Sequence, residues 1–147
     1  MTHRRLPLLV LVVAVLVAGT SSPVHADDVP RRDRMLHLLN QTRRSHGLPT
    51  FRLNRSLSHL AWLHSKRMSE QNRCFHTLDL DGAVRPYNPS IWGENVGAAG
   101  TMRRVRTLWM GSAGHRANLL NARFRRIGIG VVRARGMVWV TTIFYGA

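Results

Sequence analysis

The spacing of apolar positions changes character several times along the chain, and each change predicts a different element. An unbroken apolar run spans Leu8 to Ala18. It is shorter than the roughly 20 residues that a membrane-spanning helix needs. Asp28 reads as the cap of a first helix, with Pro30 tolerated in its first turn. Met35, Leu38, Leu39, Thr42 and His46 recur at helical spacing and predict its inward stripe, and Gly47 and Pro49 stop it. Asn54 or Ser56 opens a second helix. Its predicted buried stripe is Leu57, Leu60, Ala61, His64 and Met68, with Lys66, Arg67 and Glu70 outside. On that stripe His64 reads as a satisfied core histidine rather than a ligand.

From Gln71 to Thr101 the periodicity disappears and Gly, Pro and Asn punctuate the chain. A stretch this long reads as a functional loop, and it carries His76, Trp92 and Glu94. Thr101 caps a third helix through Trp109, with Met102, Val105 and Trp109 inward and Arg103, Arg104 and Arg106 outward. Gly111 and Gly114 frame a break before a short helix from His115 to Leu120. Two β-branched and aromatic runs, Ile127 to Ala134 and Met137 to Tyr145, are joined by Arg135-Gly136 and read as a hairpin. In the second run Trp139, Thr141 and Ile143 share one face, and Val138, Val140 and Phe144 the other, so both faces need cover. Helices come first and strands last, which predicts an α+β class with helices on each side of a small antiparallel sheet. Trp62, Trp92, Trp109 and Trp139 read as core, and Gly128 and Gly130 as places of close backbone approach.

Charge changes the picture at the amino end. Arg4 and Arg5 precede the apolar run, Gly19 to Pro23 break it, and Val24-His25-Ala26 ends in residues that a signal peptidase reads. Residues 1–26 are therefore read as a signal peptide. Residues 27–147 are read as one secreted domain, monomeric and not membrane-spanning after processing. The formal net charge is +15, and loss of Arg4 and Arg5 with the leader lowers it by two. Lys66 is the sole lysine. This balance draws a protein toward anionic envelope polymers or acidic lipids; the plainer reading is a solvated arginine-rich face. The cations are scattered over several elements without a nucleic-acid motif, so no specific nucleic-acid partner is expected. Cys74 is alone, so no internal disulfide forms, and it reads as a buried small apolar residue.

Three segments carry the candidate chemistry: Phe75-His76, Trp92-Gly93-Glu94-Asn95-Val96-Gly97, and the run from Trp109 to Leu120 that contains Gly114-His115. Together with Leu39-Asn40, Arg43 and Ile127-Gly128-Ile129-Gly130-Val131, they resemble the CAP superfamily of cysteine-rich secretory, antigen 5 and pathogenesis-related 1 proteins, in its short bacterial branch. The resemblance runs from about Met35 to Tyr145. It implies an α-β-α sandwich with a cleft lined by His76, Glu94 and His115, where many members hold a divalent metal between two histidines. It also supplies precedents for lipid binding. Where many animal and plant members have a second cleft glutamate, this chain has Ser112, which removes one carboxylate.

The residue chemistry alone points the same way. Two neutral imidazoles and a carboxylate suit zinc or another divalent metal in an open three-ligand site. The plainer reading is a polar network in which the histidines and Glu94 hold the long loop. Asn95 and Asn118 read as loop braces, and Arg116 as an ion-pair partner or a solvent contact. A Ser112–His115–Glu94 relay is conceivable, but no Gly-x-Ser-x-Gly elbow is present. Three functions compete. The first is a noncatalytic domain binding a small ligand, a lipid or an envelope partner in the cleft. The second is a metal-dependent hydrolase using Glu94 with His76 and His115. The third is a cationic binder of anionic surfaces.

Overall fold

The computed structural model describes residues 28–146. The expected signal peptide lies outside the described residues. The first helix, α1, runs Asp28–Ser45. Its end is a Schellman turn: Leu48 N–H donates to Arg43 O, Gly47 N–H donates to Arg44 O, and Gly47 takes the left-handed φ of 67° that the turn requires. A two-residue strand β1, Arg52–Leu53, leads into α2, Arg55–Glu70. Asn54 caps α2 by accepting from Leu57 N–H at 3.0 Å. A short helix α3, Leu80–Val84, and one 3-10 turn, Arg85–Tyr87, follow. Then come β2 at Ile91–Ala99, α4 at Met102–Gly111, α5 at Ala113–Leu120, β3 at Arg126–Ala134 and β4 at Met137–Gly146. The β3–β4 turn has positive φ at both Arg135 and Gly136, the type I′ geometry that suits a two-residue hairpin.

The four strands order as β1-β3-β4-β2. The sheet is mixed rather than antiparallel throughout, because β1 runs parallel to β3. The α+β class and the layering otherwise follow the apolar pattern. Val138, Val140 and Phe144 of β4 pack with Met35, Leu39 and Trp109 on one side. On the other side Ile143 packs with Leu57 and Ala61, and Trp139 with Met68. The sheet is therefore covered on both faces, by α1, α4 and α5 on one and by α2 on the other.

Several expectations need correction. The stretch from Gln71 to Thr101 is not one loop, since it contains the nine-residue strand β2. Apolar alternation is missing there because the strand buries Glu94 and Asn95, which are satisfied by hydrogen bonds rather than by apolar contact. Its glycines also serve packing: a Cβ on Gly97 would stand 2.8 Å from Trp109 Nε1. Leu60 is 42% exposed instead of buried, and His46 is exposed past the end of the α1 stripe. Trp92 is 40% exposed and donates its indole N–H to Asp81 at 2.8 Å, so it is not core. Cys74 is exposed, because Phe75 takes the inward seat of that turn, edge-on to His64 at 5.1 Å between ring centres.

Candidate functional site

Glu94 lies in the middle of β2, paired with Ile143 of β4. Strand alternation places its side chain on the α2 face, beside the loop that follows α2. Its carboxylate is 2% exposed and accepts three hydrogen bonds. His76 Nδ1 donates at 2.7 Å, Thr77 N–H at 3.0 Å and the Thr77 hydroxyl at 2.5 Å. A carboxylate oxygen only accepts, so Nδ1 of His76 carries the bridging hydrogen. The His76 side chain is 65% exposed.

Asn95, the next residue, points to the opposite face and meets α5. Its amide donates to His115 O at 3.0 Å. Asn118 donates to Asn95 Oδ1 at 2.9 Å and to Glu94 O at 3.1 Å. Gly93 leaves room for this clamp, since a Cβ there would meet Asn118 Oδ1 at 3.0 Å. The two asparagines thus fix α5, and His115 on it, against the β2 edge. The His115 ring leans on Trp109 with ring centres 6.1 Å apart. Burial lowers the His115 pKa below the ordinary 6.5, and repulsion from His76 adds to the effect.

Ser112 joins α4 to α5, where its N–H donates to Trp109 O at 3.2 Å. Arg116 spans the same junction by donating to Met110 O at 2.9 Å. It makes no ion pair among the described residues and is exposed, which matches the solvent-contact reading. Glu94 is bonded to His76 and Thr77 rather than to His115, so the Ser112–His115–Glu94 relay lacks its orienting step. Among the described residues, no group of three or more His, Cys, Asp or Glu side chains stands close enough to hold a metal. Glu94 is turned toward its three donors and does not complete a site with the two imidazoles.

One residue of this region escapes sequence reasoning, and another departs from it in part. Thr77 supplies two of the three bonds to Glu94, and its only signal is a hydroxyl next to His76. His64 lies fully inside α2, with Nδ1 3.0 Å from the Thr141 hydroxyl and Nε2 without a hydrogen bond. It is a core histidine, but an incompletely satisfied one. Desolvation lowers its pKa from the ordinary 6.5, partly opposed by the Glu94 carboxylate.

Comparison with known proteins agrees with this layout. The family model described as "CAP: Cysteine-rich secretory protein family" matches residues 36–144. The Bacillus subtilis (strain 168) protein YkwD, described as uncharacterized, is 31% identical over 113 residues, covering 72% of this chain. This chain spans 44% of YkwD's length. A solved extracellular protein with an SCP domain from Bacillus anthracis superposes with a TM-score of 0.70 at 26% identity, over 86% of this chain and 45% of that one. A cysteine-rich secretory protein from Staphylococcus aureus superposes with a TM-score of 0.67 at 25% identity, over 85% of this chain and 41% of that one. With the family model spanning most of the chain and the fold superposing on bacterial members, this protein belongs to the cysteine-rich secretory protein (CAP) family.

Proposed function

We propose that the protein acts outside the cell as a noncatalytic binding domain, engaging a small ligand or an envelope partner on the side of the cleft that presents His76 and His115. The observation that carries this reading is the state of Glu94. Its carboxylate is buried and saturated by His76 and Thr77, so it serves as a brace. A general base must reach the proton that it abstracts, and releasing Glu94 would break three charge-assisted hydrogen bonds. His76 offers Nε2 on an exposed ring, and burial keeps His115 neutral near pH 7. The neutral His115 ring suits recognition of a polar hydrogen-bonding group. The extracellular setting is supported by the bacterial relatives described as extracellular or secretory.

Two measurements test the proposal. Peptide hydrolysis is assayed with added zinc and with a chelator; no turnover is expected. Turnover abolished by both the chelator and Glu94→Gln would make the protein a metallohydrolase instead. Retention on isolated cell envelopes is then measured. Saturable retention that weakens in His76→Ala and His115→Ala, and changes little with salt, supports the cleft. Retention that collapses with salt and ignores both substitutions would assign binding to the cationic surface.

A further inference from the structure

The core does not take in Trp92, and the register of the sheet sets what stands beside it. Arg52 of β1 pairs with Arg126 of β3, Arg126 with Tyr145 of β4, and Tyr145 with Trp92 of β2. Registered partners on neighbouring strands project from the same face of a sheet. Arg52, Arg126, Tyr145 and Trp92 therefore form one row across all four strands. Tyr145 packs against the cluster of Leu57 and Ile143, so the row lies on the α2 face. α2 begins at Arg55 and covers the rows that follow, where Gly128 and Gly130 meet it. This row stays open: Arg52, Arg126 and Trp92 are exposed, and Tyr145 is half-buried. Three strand spacings of about 4.8 Å give it a length of about 14 Å.

The two ends of the row differ in chemistry. At the β1 end two guanidinium groups face each other on adjacent strands, and like charges so placed destabilise a sheet. Neither makes an ion pair among the described residues. An anion between them offsets the repulsion, and the planar guanidinium fork matches a carboxylate or a phosphate. At the β2 end the Trp92 ring is held by its N–H bond to Asp81 and leaves ring surface open. A fixed, exposed indole is a platform for an uncharged ring. Between the ends Tyr145 stacks on Tyr87, with ring centres 5.1 Å apart. Its hydroxyl accepts from Asn54 Nδ2 at 2.9 Å, which leaves the phenol proton for an acceptor. A single small anion satisfies the arginines and cannot reach the indole, so the occupant is a polymer. A sugar ring suits the indole end, because its CH face is apolar and its edge carries hydroxyls. A nucleic acid stacks successive bases on several aromatic faces, and this row has one exposed ring. We infer that the row binds an anionic polysaccharide laid across the strands, its acidic groups on Arg52 and Arg126 and a sugar ring on Trp92. The inference goes beyond the cleft reading, since neither His76 nor His115 belongs to the row. It also assigns the attraction to one row of residues and not to the net charge.

The test titrates the purified protein with hexagalacturonate, with its fully methyl-esterified form and with galacturonate monomer, by calorimetry at low salt. The hexamer is expected to bind, and the ester and the monomer to bind about tenfold more weakly or less. The double variant Arg52→Gln/Arg126→Gln should weaken the hexamer about tenfold, the scale of lost charge-assisted hydrogen bonds. Arg103→Gln/Arg104→Gln removes the same charge from exposed positions on α4 and should leave binding nearly unchanged. Trp92→Ala should weaken the hexamer several-fold, and Trp92→Phe should keep part of the affinity. His115→Ala should change nothing, so failure of the cleft reading and failure of this one are told apart. The two arginine pairs are exposed, and their comparison decides the matter even if Trp92→Ala does not fold. The inference is overturned by no binding to the wild type, by equal losses from the two arginine pairs, or by a folded Trp92→Ala that binds like the wild type. Tighter binding of hexathymidylate or of phosphatidylglycerol vesicles than of the hexamer would also overturn it, giving the row to a nucleic acid or a membrane.

Discussion

Arg43 is the residue on which the most separate parts of the chain converge. It is fully buried and has no carboxylate partner among the hydrogen bonds that it makes. Its guanidinium donates to Pro49 O at 2.6 Å, to Leu119 O and Asn121 O at 2.9 Å each, and to Phe124 O at 3.1 Å. Its carbon also stands 4.1 Å from the centre of the Phe51 ring. Leu119 and Asn121 close the C-terminal end of α5, where the helix dipole is negative, so carbonyl dipoles replace an anion. Burial pushes the Arg43 pKa below the ordinary 12.5, and the nearby Arg125 charge adds to this. Arg43→Met should cost about 3 kcal/mol in urea unfolding, because it strands buried carbonyls. Arg43→Lys should recover only part, since an ammonium lacks the planar fork that reaches several carbonyls at once. A loss within error of zero for Arg43→Met would show that these carbonyls find other partners. In the sequence Arg43 stood out only as part of a family resemblance, because a long cation on a helix ordinarily reads as solvated.

The contact between α2 and β3 sets the spacing of the layers. A Cβ on Gly130 would lie 2.2 Å from the backbone of Ala61 and Trp62, and one on Gly128 would lie 2.7 Å from the backbone of Leu57. Helix and strand therefore touch main chain to main chain, and neither can yield by turning a side chain. Gly130→Ala should destabilise by about 3 kcal/mol or more. By contrast, a Cβ on Gly111 at the end of α4 meets nothing within 4 Å, so Gly111→Ala should stabilise by about 0.5–1 kcal/mol. Thermal unfolding of the two variants checks both signs; equal effects would refute the close approach. This close approach was legible beforehand, since glycines at Gly128 and Gly130 interrupt a β-branched run. So were the cap at Thr101 and the Arg135-Gly136 turn, where local chemistry decides the backbone, while for α2 the sequence left Asn54 and Ser56 as alternatives and the structure selects Asn54. The strand β2 was not legible. One of its edges is paired by β4 and its polar residues are satisfied by α5 and the Thr77 loop, and most of these partners lie far away in the chain. The same reason hid how the candidate site is wired. His76, Glu94 and His115 could be named from motifs, but that Glu94 is consumed by Thr77 depends on a loop path without periodic signal.

Taken whole, the molecule holds its histidines in contrasting settings. His64 and His115 both have pKa values lowered from 6.5 by burial. As pH falls below that value, the unfolded chain takes up protons that the native protein refuses. Stability therefore drops from about pH 7.5 toward about pH 5.5, and it rises again with pH. Urea midpoints at the two ends of that window should show the loss, and His64→Gln should reduce it. A midpoint independent of pH would mean that both rings protonate freely in the native state. Among the described residues no helix is long and apolar enough to cross a membrane. The formal net charge of +15 predicts a salt-sensitive attraction to anionic surfaces. The lone thiol gives the molecule one further property. Cys74 is the only cysteine of the chain and lies exposed just before Phe75 and His76, with desolvation raising its pKa so that it reacts slowly at neutral pH. A thiol-reactive dye applied at mildly alkaline pH would attach at a single known address, so the protein already carries its own reporter beside the loop that holds His76 and Thr77 against Glu94.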